Sequence, residues 1–263
     1  MSTPDPVLFE IKNSVATITL NRPSTLNAMN NGLMSGITQC IEAVRNDHSV
    51  RVVILTGNGR GFCAGADLAA MAGGSQPEAS SGGEDIFNSA IRALNHCPVP
   101  TIARVNGAAA GGGFGLALSC DITVAAHSAF FVATFGPRLG IVPDMGVTWN
   151  LPHRVGRARA MGISLLGDRI TAAQAQEWGL IWQAVADDDL DAQVELIADR
   201  LKHSSPSSST RIRQTIDAAS HNTLSQQLDL EMTHQAVLIP RNMQEGAKAF
   251  MEKREPTFSG ERD

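Results

Sequence analysis

Apolar residues come in short strand-like runs through the first half of this chain and at helical spacing through much of the second. VLFEIKNSVATITL reads as two strands with a turn at Asn13-Ser14. Leu33, Ile37, Ile41 and Val44 then form one helical stripe, with Asn30 or Asn31 placed to cap a helix running to about Asn46. VRVVILTG is nearly all apolar, as expected of a strand covered on both faces, and TIARVN, ITVAA and AFFVA read as further strands. From Thr171 onward helices dominate. TAAQ (Thr171 to Gln174) and TLSQ (Thr223 to Gln226) fit capping boxes, and Ser205-Pro206 fits an N-cap followed by proline. This order predicts an α/β architecture. No internal repeat is visible. AGGSQPEASSGGED (Ala72 to Asp85) is a small-residue loop, open to reading as plain surface or as a lid.

Composition narrows the function. A length of 263 residues fits one large α/β domain or a domain with an appendage, and 43% apolar content supplies a sizeable core. The net charge of -5, with no block of basic residues, argues against a nucleic-acid surface. The N-terminus lacks a basic, then apolar, leader pattern, and no run of eighteen apolar residues exists, so neither a signal peptide nor a membrane span is expected. Cys40, Cys63, Cys97 and Cys120 lack CxxC spacing and sit in apolar segments, which predicts buried reduced thiols and a cytoplasmic protein. The seven histidines show no metal-ligand spacing, so no metal is expected.

Two stretches carry candidate chemistry. GRGFCAGADL follows the strand VVILTG, and NGAAAGGGFGLAL repeats the order of strand, small-residue turn and helix start. Backbone N–H groups left unpaired at such turns favour negative charge, and two converging on one point make an oxyanion hole. Close helix packing also demands glycine, so each stretch alone has two readings. Neither matches a phosphate-binding P-loop or the full dinucleotide fingerprint. Carboxylates are scarce nearby: between Asp85 and Asp144 lies only Asp121, read as structural because it directly precedes a strand. Asp144, in GIVPDMGVTW, is either a helix cap or an acid/base group.

Taken together, LNRPSTLNAM, GRGFCAGADL, VNGAAAGGGFGLALSCDI, GDRITAAQAQEWGLI and AFMEKREPTF resemble the enoyl-CoA hydratase/isomerase, or crotonase, superfamily, from about Val7 to Phe258. The resemblance implies a crotonase-like spiral of ββα repeats over residues 1–200 and a helical C-terminal region over 201–263 that trimerises and caps the active site. It implies acyl-CoA thioester substrates, with coenzyme A arriving as part of the substrate and no permanently bound cofactor, in a homotrimer or dimer of trimers. It assigns the oxyanion donors to the backbone of Ala66 and Gly112, beside Gly111. Backbone groups of Ala64, Asp67 and Leu68 would meet the adenine, with Arg22 near the CoA entrance. Phe250 and Lys253 would reach CoA, in some members from a neighbouring subunit.

The departures matter as much. Family hydratases hold water between two glutamates, and the matching positions here are Gly115 and the Gly136-Pro137 region, which carry none. Asp144 falls where isomerase and dehalogenase branches place an aspartate. VPDMGVTWNLPHRVGRARAMGISLLG is especially similar to the branch of 1,2-epoxyphenylacetyl-CoA and Δ3,Δ2-enoyl-CoA isomerases. The expectation is thus an acyl-CoA isomerase with Asp144 as its one acid/base, its basicity raised if Val142, Met145 and Trp149 surround it. The alternatives are a hydrolase or dehalogenase using Asp144 as base or nucleophile, a hydratase-like chain with little hydratase activity, and a non-catalytic acyl-CoA scaffold.

Overall fold

A computed structural model describes residues 5–69 and 85–262 of the protein. Apart from Asp85, the Ala72 to Asp85 loop therefore lies outside the described residues. Strands β1 (Val7–Lys12) and β2 (Val15–Leu20) form the expected hairpin, with Asn13 and Ser14 both at positive φ (50° and 66°), the twist that tight hairpin turns require. Helix α1 (Asn31–Asn46) is capped by Asn30, whose side chain accepts the Leu33 N–H at 2.9 Å, and it buries Leu33, Ile37, Ile41 and Val44.

Two sheets organise the core. Strands β3 (Val52–Gly57), β5 (Thr101–Val105), β7 (Ile122–Ala126) and β10 (Gln183–Val185) extend the hairpin into a six-stranded sheet, order β1-β2-β3-β5-β7-β10, parallel after the first pair. Strands β4 (Gly61–Cys63), β6 (Ala108–Ala110), β8 (Phe130–Val132) and β9 (Ile170–Thr171) form a four-stranded sheet in that order. Each pass of chain, β3-β4, β5-β6 and β7-β8, gives one strand to each sheet. The result is a spiral whose repeat is geometric and not written in the sequence. Helix α2 (Ile86–Asn95) packs on α1, and the short α3 (Gly112–Leu118) is buried along its whole length. All of β3 is buried, which explains its nearly continuous apolar run.

The C-terminal part is helical: α4 (Val147–Leu166, broken at Gly156), α5 (Ala172–Glu177), α6 (Leu190–Lys202), α7 (Pro206–Ala218) and α8 (Leu224–Glu252). Thr223 and Gln226 form the full reciprocal capping box at α8, and Ser205 caps α7 ahead of Pro206. At α5 only half of the expected box forms: Thr171 accepts the Gln174 N–H, and the glutamine makes no return bond among the described residues. All four cysteines are free and buried, and desolvation pushes the Cys63 thiol up to about 12, so these are inert packing groups. No described helix is long and apolar enough to cross a membrane.

Candidate active site

The two glycine-rich turns meet back to back. Gly65, at φ +93°, lies so close to the second turn that a Cβ there would fall 2.9 Å from the Ala110 carbonyl oxygen and 3.6 Å from the Gly111 Cα. Gly111, at φ +52° and ψ -125°, takes a conformation that residues with a Cβ avoid. Gly113 serves packing instead, since a Cβ would lie 2.2 Å from the Cys63 carbonyl oxygen. Within GGG, Gly111 thus answers to backbone conformation and Gly113 to close packing.

Ala66 and Gly112, the residues expected to supply two N–H groups, follow Gly65 and Gly111 directly. Ala66 pairs with Met29 in a parallel bridge in which the Met29 N–H donates to the Gly65 carbonyl (2.7 Å) and the Asp67 N–H to the Met29 carbonyl (2.9 Å). The flanking groups turn toward Met29, so the Ala66 N–H faces the other way, as alternation along an extended segment requires. Gly112 opens α3, where N–H groups have no intrahelical partner. Neither N–H donates to a protein acceptor among the described residues. Both residues line one cavity of about 310 Å³, walled by Met29, Phe87, Phe135, Leu139, Ile141 and Met145.

Asp144 lines the same cavity. Its side chain does not cap α4: Gly146 stands at the N-cap, and the helix start takes no side-chain bond. A turn at positive φ through Met145 (53°) and Gly146 (75°) carries the chain past it. Asp144 is open to solvent at the cavity mouth, yet enough protein surrounds its carboxyl for desolvation to raise its pKa. Its own N–H opposes that rise, and the charge of Asp85 adds to it. The expected apolar neighbours need correction: Met145 is buried beside it, whereas Val142 is 76% exposed and Trp149 stacks on His153, away from the cavity. The wall joins Leu139, Ile141 and Met145 from the same stretch to Met29 and Phe87 from far along the chain, and neighbour-counting cannot find those two.

The isolation of Asp144 is also corrected, because Asp85 lines the cavity with it. The sequence signal for Asp85 was present as a cap before an apolar stripe, but nothing local shows which way a cap faces.

At Gly115, where hydratases of the resembled family carry a glutamate, there is no room for a side chain. A Cβ would fall 2.4 Å from the Met145 carbonyl oxygen and 2.6 Å from its Cβ. The turn that follows Asp144 fills the space.

The predicted CoA-binding residues divide. Ala64, Leu68 and Gly111 line the cavity, with Leu68 half exposed. The N–H groups of Ala64 and Asp67 are engaged by the carbonyls of Leu26 and Met29. Arg22 pairs with Asp67 at 2.8 Å and donates to the Ala28 carbonyl, bracing the turn that holds Ala66. Buried Asn27 ties the preceding turn between β3 and β4, donating to carbonyls of Asn58, Gly61 and Phe62. Phe250 and Lys253 are exposed at the end of α8 and do not line the cavity within this chain. A larger hollow of about 560 Å³ lies under α7, where Asp121 is bound to Arg213 at 2.6 Å and to Thr101; it holds neither donor pair nor Asp144.

Known proteins give this geometry a context. The family described as enoyl-CoA hydratase/isomerase matches residues 10–261. A 1,2-epoxyphenylacetyl-CoA isomerase of Escherichia coli is 43% identical over 258 residues, covering 97% of this chain and 98% of that one. A probable enoyl-CoA hydratase of Rhodobacter capsulatus is 39% identical, with 97% and 98% covered. The solved structure of an enoyl-CoA hydratase from Polaromonas sp. JS666 superposes with a TM-score of 0.89 at 32% identity, over 96% of this chain and 99% of that one.

Proposed function

The chain belongs to the enoyl-CoA hydratase/isomerase family, and from that premise we propose that it is an acyl-CoA isomerase in which Asp144 carries a proton between two carbons. The thioester oxygen accepts the Ala66 and Gly112 N–H groups. Asp144 removes a proton from C2 of a 3-enoyl thioester, the electron pair delocalises onto that oxygen as a dienolate, and the same proton returns at C4 to leave the 2-enoyl isomer. A donor of this kind typically contributes about 3 kcal/mol at the transition state, and a placed acid/base group about 10²- to 10⁴-fold in rate. The same site serves a ring-epoxide acyl-CoA, the substrate type in the name of the Escherichia coli relative.

One observation carries the preference over hydration: the turn after Asp144 occupies the volume that a glutamate at Gly115 needs. Asp144 and a water-holding glutamate there exclude each other on this backbone. The test offers a 3-enoyl-CoA and follows the absorbance of the conjugated product. Asp144→Asn is expected to lose at least about 100-fold in kcat, with 2-enoyl-CoA hydration negligible in both proteins. Equal turnover by the variant ends the assignment, and a covalent adduct trapped on Asp144 replaces it with nucleophilic chemistry.

Residues 201–263 are proposed as the assembly and capping region of a homotrimer or dimer of trimers. Support comes from the apolar residues that α8 leaves exposed, among them Leu228, Met232, Met243 and Phe250.

A further inference from the structure

Asp85 stands at the start of α2, where its carboxylate accepts the N–H groups of Phe87 (3.2 Å) and Asn88 (3.4 Å). Capping accounts for those bonds. It does not account for where the residue faces. Asp85, with Phe87 and Asn88 from the first turn of α2, forms part of the wall of the cavity that holds Asp144 and the two amide donors. No lysine, arginine or histidine lines that cavity among the described residues, and Asp85 is the only charged group there besides Asp144. The two acids therefore share a largely apolar space with no cation between them.

We propose that Asp85 is a positioning residue for proton transfer: pinned by the start of α2, its negative charge faces Asp144 across the acyl cavity and favours the state in which Asp144 holds the substrate's proton. Proton abstraction moves negative charge from Asp144 to an oxygen held by two N–H donors. A fixed anion beside Asp144 promotes that movement, and more strongly once the acyl group has displaced water and lowered the local dielectric. The raised pKa of Asp144, to which Asp85 contributes after desolvation, agrees in direction. This inference rests on the isomerase reading of Asp144.

Asp85→Asn separates the charge from the cap, because asparagine caps helices as well as aspartate does. Carboxyl-¹³C aspartate labelling, with the Asp144 signal assigned by its loss in Asp144→Asn, gives the titration midpoint of Asp144 without reference to turnover. In Asp85→Asn that midpoint is expected to fall toward the ordinary carboxylate range. The acid limb of kcat/KM should follow it downward, and kcat at neutral pH should drop roughly three- to tenfold, with KM and the melting temperature held. Asp85→Ala, which removes the cap as well, should show the same midpoint and a lower melting temperature. An unchanged midpoint in Asp85→Asn overturns the proposal and leaves Asp85 a cap. A shifted midpoint with undiminished turnover in Asp144→Asn instead sinks the isomerase reading and keeps the electrostatic coupling.

Discussion

Met145 is buried and sits at φ +53°, a left-handed conformation that residues with a Cβ seldom adopt. Packing against Met29, Gly112 and Gly115 holds it there, and its neighbour Asp144 is delivered to the cavity as a result. Gly115→Ala tests this. The added methyl must displace the Met145 backbone, so a loss of about 1–3 kcal/mol in urea unfolding is expected, together with reduced isomerisation. Wild-type stability and activity in that variant would discredit the packing account. Asp144 itself makes a pH prediction. Its folded pKa lies above its unfolded value, so its ionisation disfavours the fold above the folded pKa, and that penalty disappears as pH falls. Asp144→Asn should therefore melt no lower than the parent at neutral pH. Parent kcat/KM should fall on acidification through a midpoint above the ordinary aspartate value of about 3.9.

Elements whose signals are local were legible in the sequence. The hairpin turn at Asn13-Ser14 and the caps at Asn30, Ser205 and Thr223 each depend on a few adjacent residues. The C-terminal tail was not legible, because its contacts go to distant backbone. Arg262 donates to the carbonyls of Val44, Arg45, Asp47 and Val50, closing the end of α1, while Arg51 reaches back to the carbonyls of Phe258 and Ser259. An arginine bound to carbonyls leaves no periodicity to read. Arg262→Ala is expected to cost about 1–3 kcal/mol and to speed amide exchange at the end of α1. Unaltered exchange there would mean that the tail does not brace this helix.

For the molecule as a whole, Arg213 of α7 bonds Asp121 and the carbonyls of Asn95, Cys97 and Val99, joining the C-terminal helices to the spiral. Asp121 was readable as structural, but its partner, ninety-two positions away, was not. The same region leaves Phe250 86% exposed, and α8 also exposes Leu224, Leu228, Met232 and Met243, apolar side chains of the kind that subunit contacts cover. Light scattering is accordingly expected to return a multiple of the 27.9 kDa chain mass, and Leu228→Glu with Met232→Glu should lower it. A fully active species of single-chain mass would refute the assembly.

The sequence by itself determined the longer strands and the main helices, most of the caps, the two glycine-rich turns and the absence of an acid at Gly115, since each is a matter of residue type at short range; the short strands β4, β6, β9 and β10 it did not show. Only the tertiary structure decided that Gly65 and Gly111 touch, that Asp85 joins Asp144 in one cavity, and that Val142 and Trp149 turn away from it. The spiral folds residues tens of positions apart onto a common space, and direction across such a space depends on packing, which no local pattern encodes.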